Sequence, residues 1–306
     1  MTNDAPALGV LLPLAPGQIT SGDFLREWVA VVEECDVESV WGVEHVVLAH
    51  EYEPNYPYSE SGQIPSGSGA AAGALPMPDP LDTLAFVAAV SDTVKLGTAV
   101  VIAPLHSPAV LAKRVSTVDN LSGGRVVLGL GIGWQREEYA AVGAPFRDRG
   151  ARLEECIGAM RALWTQAPAT FHGEHFAFDR VYSSPQPARG KVPIALGGNS
   201  APAVERAARI GDGWFPYTIS PDDFATSMVR LRELAAAAGR DSAEIEVTVW
   251  PGSHDPASER DVDFVRRFVA AGARRLLITP FASREGGLPA LREQILSYRE
   301  GVLEKL

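Results

Sequence analysis

Short apolar runs alternate with longer amphipathic stretches along the whole chain, and the pair repeats eight times. Leu8–Leu14 (LGVLLPL), closed by Pro16-Gly17, reads as a buried strand. The next stretch, Gly22–Asp36, places Phe24, Leu25, Trp28, Val29, Val31 and Val32 at helical spacing, with Ser21 or Asp23 near its N-cap. Further strands are expected over Ser39–Val43, Val94–Val101, Arg125–Leu130, Val192–Gly197, Gly213–Pro216, Ile245–Trp250 and Arg275–Thr279. Helices are expected over Asp82–Ser91, Pro108–Leu121 (capped by Ser107), Arg149–Trp164, Ala201–Ile210, Asp222–Ala238, Val262–Ala271 and Leu288–Leu303. Strict strand–helix alternation implies a parallel sheet covered by helices. Eight units in 306 residues, with no linker between halves, point to one α/β domain over 1–306, a (β/α)8 TIM barrel. A doubly wound sheet is the alternative. The first strand runs into Pro16-Gly17-Gln18, without the glycine fingerprint such a sheet uses.

Two segments break the rhythm. Residues 46–78 are rich in Pro, Gly, Ser and Tyr and have no period, so they read as an insertion after strand 2, a lid over a site. Thr170–Phe178 (TFHGEHFAF) reads as a short hairpin before strand 5, turning at Gly173.

The net charge of −11 removes the basic footprint that nucleic-acid binding needs and disfavours anionic membrane surfaces. No apolar run approaches the length of a membrane span, and Met1–Pro6 lacks a basic region, so a cytoplasmic protein is expected. Two cysteines, Cys35 and Cys156, are too few for a disulfide scaffold and are expected to be buried thiols.

In a barrel of this type chemistry sits at the C-terminal strand ends. Strand 1 ends without a His-x-His pair, and no Gly-x-Ser-x-Gly elbow exists, so metal-dependent and serine hydrolases are disfavoured. Strand 2 ends in Glu44-His45, an acid–base or positioning pair, or a surface histidine of no consequence. Strand 3 ends in Gly97-Thr98-Ala99-Val100, small residues that admit a flat ring or pack a barrel layer. Strand 4 leads into Gly129-Leu130-Gly131-Ile132-Gly133-Trp134, alternate glycines that expose backbone to a ligand. Strand 5 ends in Gly197-Gly198-Asn199-Ser200 at the start of a helix. Glycines, two polar side chains and a helix N-terminus together suit a phosphate. Trp214 and Trp250 could wall a pocket or fill the core. His172 and His175 in the hairpin lack enough neighbouring ligands for a metal site, and no metal is expected.

These strand ends, in this order, resemble the luciferase-like monooxygenase superfamily, and most closely its actinobacterial branch of coenzyme F420-dependent oxidoreductases. The resemblance is carried by SVWGVEHVV (Ser39–Val47), the block from Lys95 to Tyr139 and PIALGGNSAPAVERAARIGDGWFP (Pro193–Pro216). It implies that Glu44 and His45 lie against a deazaflavin, with His45 positioning the ring or assisting proton transfer. It implies a non-proline cis peptide at Ala99–Val100, beside Thr98 and under the ring. Gly131, Gly133, Trp134 and Glu137 would flank the ring, and Gly197, Gly198 and Asn199 would hold its phosphate. Lys113, Arg114 and Arg136 are the cations available for the anionic tail of coenzyme F420. The implied activity is hydride transfer between coenzyme F420 and a small organic substrate at C=C, C=N or C=O. The alternatives are an FMN-dependent monooxygenase supplied by a separate flavin reductase, and a non-catalytic flavin- or deazaflavin-binding protein. Homodimerisation is expected from the family.

Overall fold

Strands as apolar as these need cover on both faces, which a parallel barrel inside a ring of helices provides. The computed structural model describes residues 5–64 and 75–306 and has that architecture. Its elements are β1 (Ala7–Leu11), α1 (Gly22–Glu34), β2 (Ser39–Gly42), α2 (Pro80–Val90), β3 (Lys95–Thr98), β4 (Val101–Ile102) and α3 (Pro108–Leu121). Next come β5 (Val126–Gly131), α4 (Arg136–Ala141), α5 (Arg149–Thr165), β6 (Ala169–His172), β7 (Ala177–Val181), β8 (Ile194–Gly197) and α6 (Ala201–Ile210). The chain closes with β9 (Gly213–Phe215), α7 (Pro221–Ala237), β10 (Glu246–Val249), α8 (Val262–Ala271), β11 (Arg275–Ile278) and α9 (Ala282–Gly301).

β1 pairs with β2, β2 with β3, and β3 and β4 with β5; β8, β9, β10 and β11 follow in turn, and β11 returns to β1. Every pairing is parallel, and β4 continues β3, so the barrel has eight positions. β6 and β7 form the antiparallel hairpin outside it. The expected single strand over Val94–Val101 is broken in two. Gly97 pairs with Val127 and Val101 with Leu130, so three residues on one side face two on the other. The extra residue makes a bulge, and the Ala99–Val100 peptide within it is cis. The short α4 was not expected from the sequence. Ser107 starts α3 as expected, but its side chain caps nothing, whereas Ser21 Oγ accepts the Phe24 N–H of α1 at 3.3 Å.

Two layers fill the barrel interior. The lower one is ionic. Arg275, almost wholly buried, donates to both Glu38 oxygens at 2.7 and 2.9 Å and to Thr248 Oγ1 at 2.9 Å, and also pairs with Glu246. Burial pushes the Glu38 carboxyl up, but bonds from Arg275 and Lys95 outweigh it and hold the carboxyl at about 2. The upper layer is apolar: Leu11, Trp41, Phe215 and Leu277, with Trp41 and Phe215 stacked at 6.0 Å. Cys35 and Cys156 are buried thiols, and burial pushes Cys156 up to about 12. Among the described residues no helix is long and apolar enough to cross a membrane.

Candidate active site

The C-terminal mouth of the barrel is built on the β3–β4 bulge. The bulge turns Val100 toward β5 and β8, where side chains are missing. A Cβ on Gly131 would lie 2.6 Å from Val100 Cγ2, one on Gly197 would lie 3.1 Å from Val100 Cγ1, and one on Gly129 would collide with the Thr98 carbonyl. Gly133 faces Ile102 in the same way at 2.7 Å. The alternate glycines expected to bare backbone to a ligand therefore receive the neighbouring strand instead. Thr98 is fully buried and donates from Oγ1 to Gly129 O at 2.8 Å, which joins β3 to β5 beside the bulge. Val100 and Ala99 pack on the upper apolar layer, so this layer and the bulge form one apolar floor.

Glu44 holds the bulge from the other side. Its Oε2 accepts the Ile102 N–H at 2.6 Å, and its Oε1 lies 3.0 Å from His106 Nε2. Both oxygens are occupied and the residue is buried, so Glu44 fixes the bulge and leaves the mouth to His45. His45 Nδ1 lies 3.0 Å from Glu138 Oε2, and Glu138 Oε1 accepts the Val46 N–H at 2.7 Å. Glu138 is fully buried. A carboxylate there takes the Nδ1 proton and fixes the ring's tautomer and direction. Among the described residues nothing bonds His45 Nε2.

The segment after β2 is fastened to the start of α4. Gln135 Oε1 accepts the Ala49 N–H at 3.1 Å and Glu137 Oε1 accepts the Glu53 N–H at 3.0 Å. Trp134 takes edge contacts from His45, Tyr52 and Tyr56 with centroids at 6.1, 5.2 and 5.2 Å. Tyr56 packs on Tyr58, Tyr58 on Tyr217 and Tyr217 on Trp250. An aromatic arc thus runs from the end of β2 to the end of β10. Burial pushes the Tyr58 phenol up to about 12 and raises Tyr56 as well. The middle of the expected lid, residues 65–74, lies outside the described residues.

Opposite the arc, β8 turns into α6 through Gly197, Gly198 and Asn199. Gly198 has φ +110°, a conformation that glycine adopts freely. Trp214 Nε1 donates to Gly198 O at 2.9 Å, which fixes the turn. Asn199 does not point its amide at the helix end: it pairs both ways with the Tyr217 backbone, accepting the Tyr217 N–H at 2.9 Å. Ser200 precedes α6 without a side-chain cap; Pro202 has no N–H and the Ala203 N–H bonds Ser200 O at 2.8 Å, which leaves the Ala201 N–H of the first turn available to an anion.

A sequence model of luciferase-like monooxygenases matches residues 15–284. The chain belongs to the luciferase-like monooxygenase family. It is similar to an uncharacterized protein of Mycobacterium tuberculosis, 38% identical over 167 residues, 53% of this chain and 58% of that protein. The matched region thus spans less than two thirds of the length of that relative. It is also similar to the FMNH(2)-dependent dimethylsulfone monooxygenase of Pseudomonas putida, 32% identical over 157 residues, 50% of this chain and 43% of that protein. Among solved structures, the coenzyme F420 dependent tetrahydromethanopterin reductase from Methanopyrus kandleri superposes with a TM-score of 0.71 at 15% identity. That match covers 98% of this chain and 99% of the reductase, and at such identity it is a likeness of fold.

Within this luciferase-like fold, His45, Thr98, Ala99, Val100, Trp134 and Glu137 gather on the β2–α4 side, and Gly197–Asn199 on the α6 side. The sequence reading missed Glu138, His106, Gln135 and Tyr217. Of the three cations expected to meet an anionic tail, Arg114 and Arg136 are paired with carboxylates, and Lys113 has no carboxylate partner among the described residues. Lys113 donates to the Ser184 carbonyl, Arg114 pairs with Asp79 at 2.7 Å and Asp82 at 2.6 Å, and Arg136 pairs with Glu53 at 3.2 Å. In the hairpin, Glu155 rather than His172 joins Glu174 and His175, and its carboxylate already accepts three backbone N–H groups.

Proposed function

We propose that this chain is an oxidoreductase that transfers hydride between coenzyme F420 and a small organic substrate, with His45 as its acid–base group. The observation that carries this reading is the fully buried Glu138 carboxyl on His45 Nδ1. A surface histidine needs no such partner, whereas a proton-handling one needs its tautomer fixed.

The residues present fit a flat ring with a phosphate. Ala99 and Val100, half-buried on top of the packed Trp41, Phe215 and Leu277, suit a ring face. Gln135 Nε2 and Glu137 Oε2 are buried without partners at the mouth, a donor and an acceptor available to a polar ring edge. The Gly197–Gly198 turn and the N-terminus of α6 would take the phosphate. When bound, a reduced deazaflavin supplies a hydride to an electrophilic C=C, C=N or C=O carbon. The chain's own part is orientation on the floor, exclusion of water by the aromatic arc, and proton exchange with the substrate at His45 Nε2, the ring nitrogen that the Nδ1–Glu138 bond leaves open.

A second reading is an FMN-dependent monooxygenase, supported by the Pseudomonas putida relative and by the pairing of Arg114 and Arg136 with carboxylates. Equilibrium binding of the protein to coenzyme F420 and to FMN, each oxidised and reduced, separates the two. Preference for the deazaflavin is the expected result. Preference for FMN moves the chain to the oxygen-dependent reading, and binding of neither overturns both. His45→Ala should keep cofactor binding and lose turnover; unchanged turnover removes His45 from the chemistry.

A further inference from the structure

A second polar cluster lies behind the mouth wall. Trp250, next after β10, packs on the apolar floor on one side and on Tyr217 on the other, with centroids 5.7 Å apart. Beside its indole N–H sits the carboxyl of Glu259, which is 6% exposed. Gly252 leaves it room, since a Cβ there would land on Glu259 Oε1. The Thr279 backbone at the end of β11 and the Tyr298 phenol on α9 face the same carboxyl. Trp250 Nε1, Thr279 Oγ1, Tyr298 Oη and the Oε1 of Glu259 itself are buried and make no hydrogen bond of good geometry, although the indole lies close enough to act on the carboxyl. Buried polar groups are nearly always paired, so three unpaired ones around a carboxyl with an unpaired oxygen of its own call for an explanation.

We propose that Glu259 is a positioning residue for the active site and acts through Trp250. As a neutral acid it offers the indole N–H only the weak acceptor of its carbonyl oxygen, in competition with its own O–H. As a carboxylate it takes that N–H and fixes the ring at the wall of the mouth, which alters the fit of whatever lies on the floor. That last step rests on the mouth being the active site, as proposed above.

The surroundings place the change in the neutral range. Burial pushes the Glu259 carboxyl up, to about 7, against the lowering effects of the Thr279 N–H, the Trp250 indole and the Arg260 charge. Arg260 is the cation facing it, and its guanidinium donates to Ser297 Oγ at 2.5 Å. From α9 the facing groups are Tyr298, a phenol pushed well above its usual range, and neutral Gln294, which donates to Thr279 O at 2.7 Å. Trp250 and Thr279, from the ends of β10 and β11, are neutral.

The test starts with cofactor-free protein. Indole emission is followed from about pH 5.5 to 8.5, the span around a carboxyl raised this far. The wild type should show a step near neutrality that is lost in both Glu259→Gln and Trp250→Phe. A component that survives both belongs to another indole, Trp134 beside His45 among them. If either variant keeps the whole step, the coupling is overturned. Should Glu259→Gln fail to fold, Trp250→Phe decides alone. The affinity for coenzyme F420 and for FMN is then measured over the same range. It should change several-fold across the step in the wild type and stay flat in Glu259→Gln. A flat wild-type affinity alongside an intact emission step overturns the positioning role. Binding of neither cofactor removes the proposed function and leaves the Glu259–Trp250 coupling to stand or fall on emission.

Discussion

The smallest residues at the mouth are the least replaceable. Gly131→Ala places a methyl group 2.6 Å from Val100 Cγ2, and a β-branched side chain held in a bulge cannot swing aside. Overpacking of this kind costs about 1–3 kcal/mol, so the melting temperature should fall; an unchanged melting temperature would show that the bulge yields. Glu138→Gln keeps the shape of the carboxylate but cannot take the Nδ1 proton as an anion does. Turnover should fall by roughly 10²-fold, the low end of what general acid–base groups contribute, with cofactor affinity retained. Equal loss of both would mean that Glu138 is a packing residue.

Among the elements, α4 bears on function beyond its six residues. Its first turn and the tryptophan before it hold the segment after β2 through Trp134, Gln135, Glu137 and Glu138. Trp134→Ala removes three aromatic contacts at once. Limited proteolysis within residues 46–64 should then quicken, and the Michaelis constant should rise more than turnover falls; a cleavage rate equal to wild type would show that the carboxylates alone hold the segment. The same element shows what the sequence made legible. The eight strand–helix units followed from apolar periodicity, since each repeat is written locally. His45, the bulge site and the glycine turn into α6 were placed at the mouth by strand-end residues and family likeness. Glu138 and Gln135 were hidden because their partners, the N–H groups of Val46 and Ala49, lie in a segment with no period. The role of Gly129 and Gly131 was misread for a related reason. A missing side chain looks the same in sequence whether a ligand or the neighbouring strand fills the space.

At the scale of the molecule, two carboxyls, Glu38 half-buried and Glu259 buried, set opposite limits on stability. Glu38, held at about 2 against an ordinary 4.5, contributes fully above pH 4.5 and loses its contribution as pH falls toward 2. The shift corresponds to about 3 kcal/mol. Glu259, raised from 4.5 to about 7, acts the other way. Between those values the folded chain keeps a proton that the unfolded chain has released, so stability falls as pH rises through that window. The melting temperature should therefore peak near pH 5, and Glu259→Gln should flatten the neutral side alone. A wild type whose stability rises steadily from pH 5 to 8 would contradict the assignment. Arg275→Met takes its main partner from half-buried Glu38, which keeps Lys95, and should cost roughly 1–3 kcal/mol, read by denaturant unfolding.

The bulge at Ala99–Val100 is received by glycines on two further strands, Gly129 and Gly131 on β5 and Gly197 on β8. A fit of this kind is inherited as a unit. A lineage that flattened β3 would free all three positions to drift toward larger side chains, and a lineage that kept the bulge would hold all three fixed. Sequences of the family should sort into two groups at these positions, with few mixtures between them.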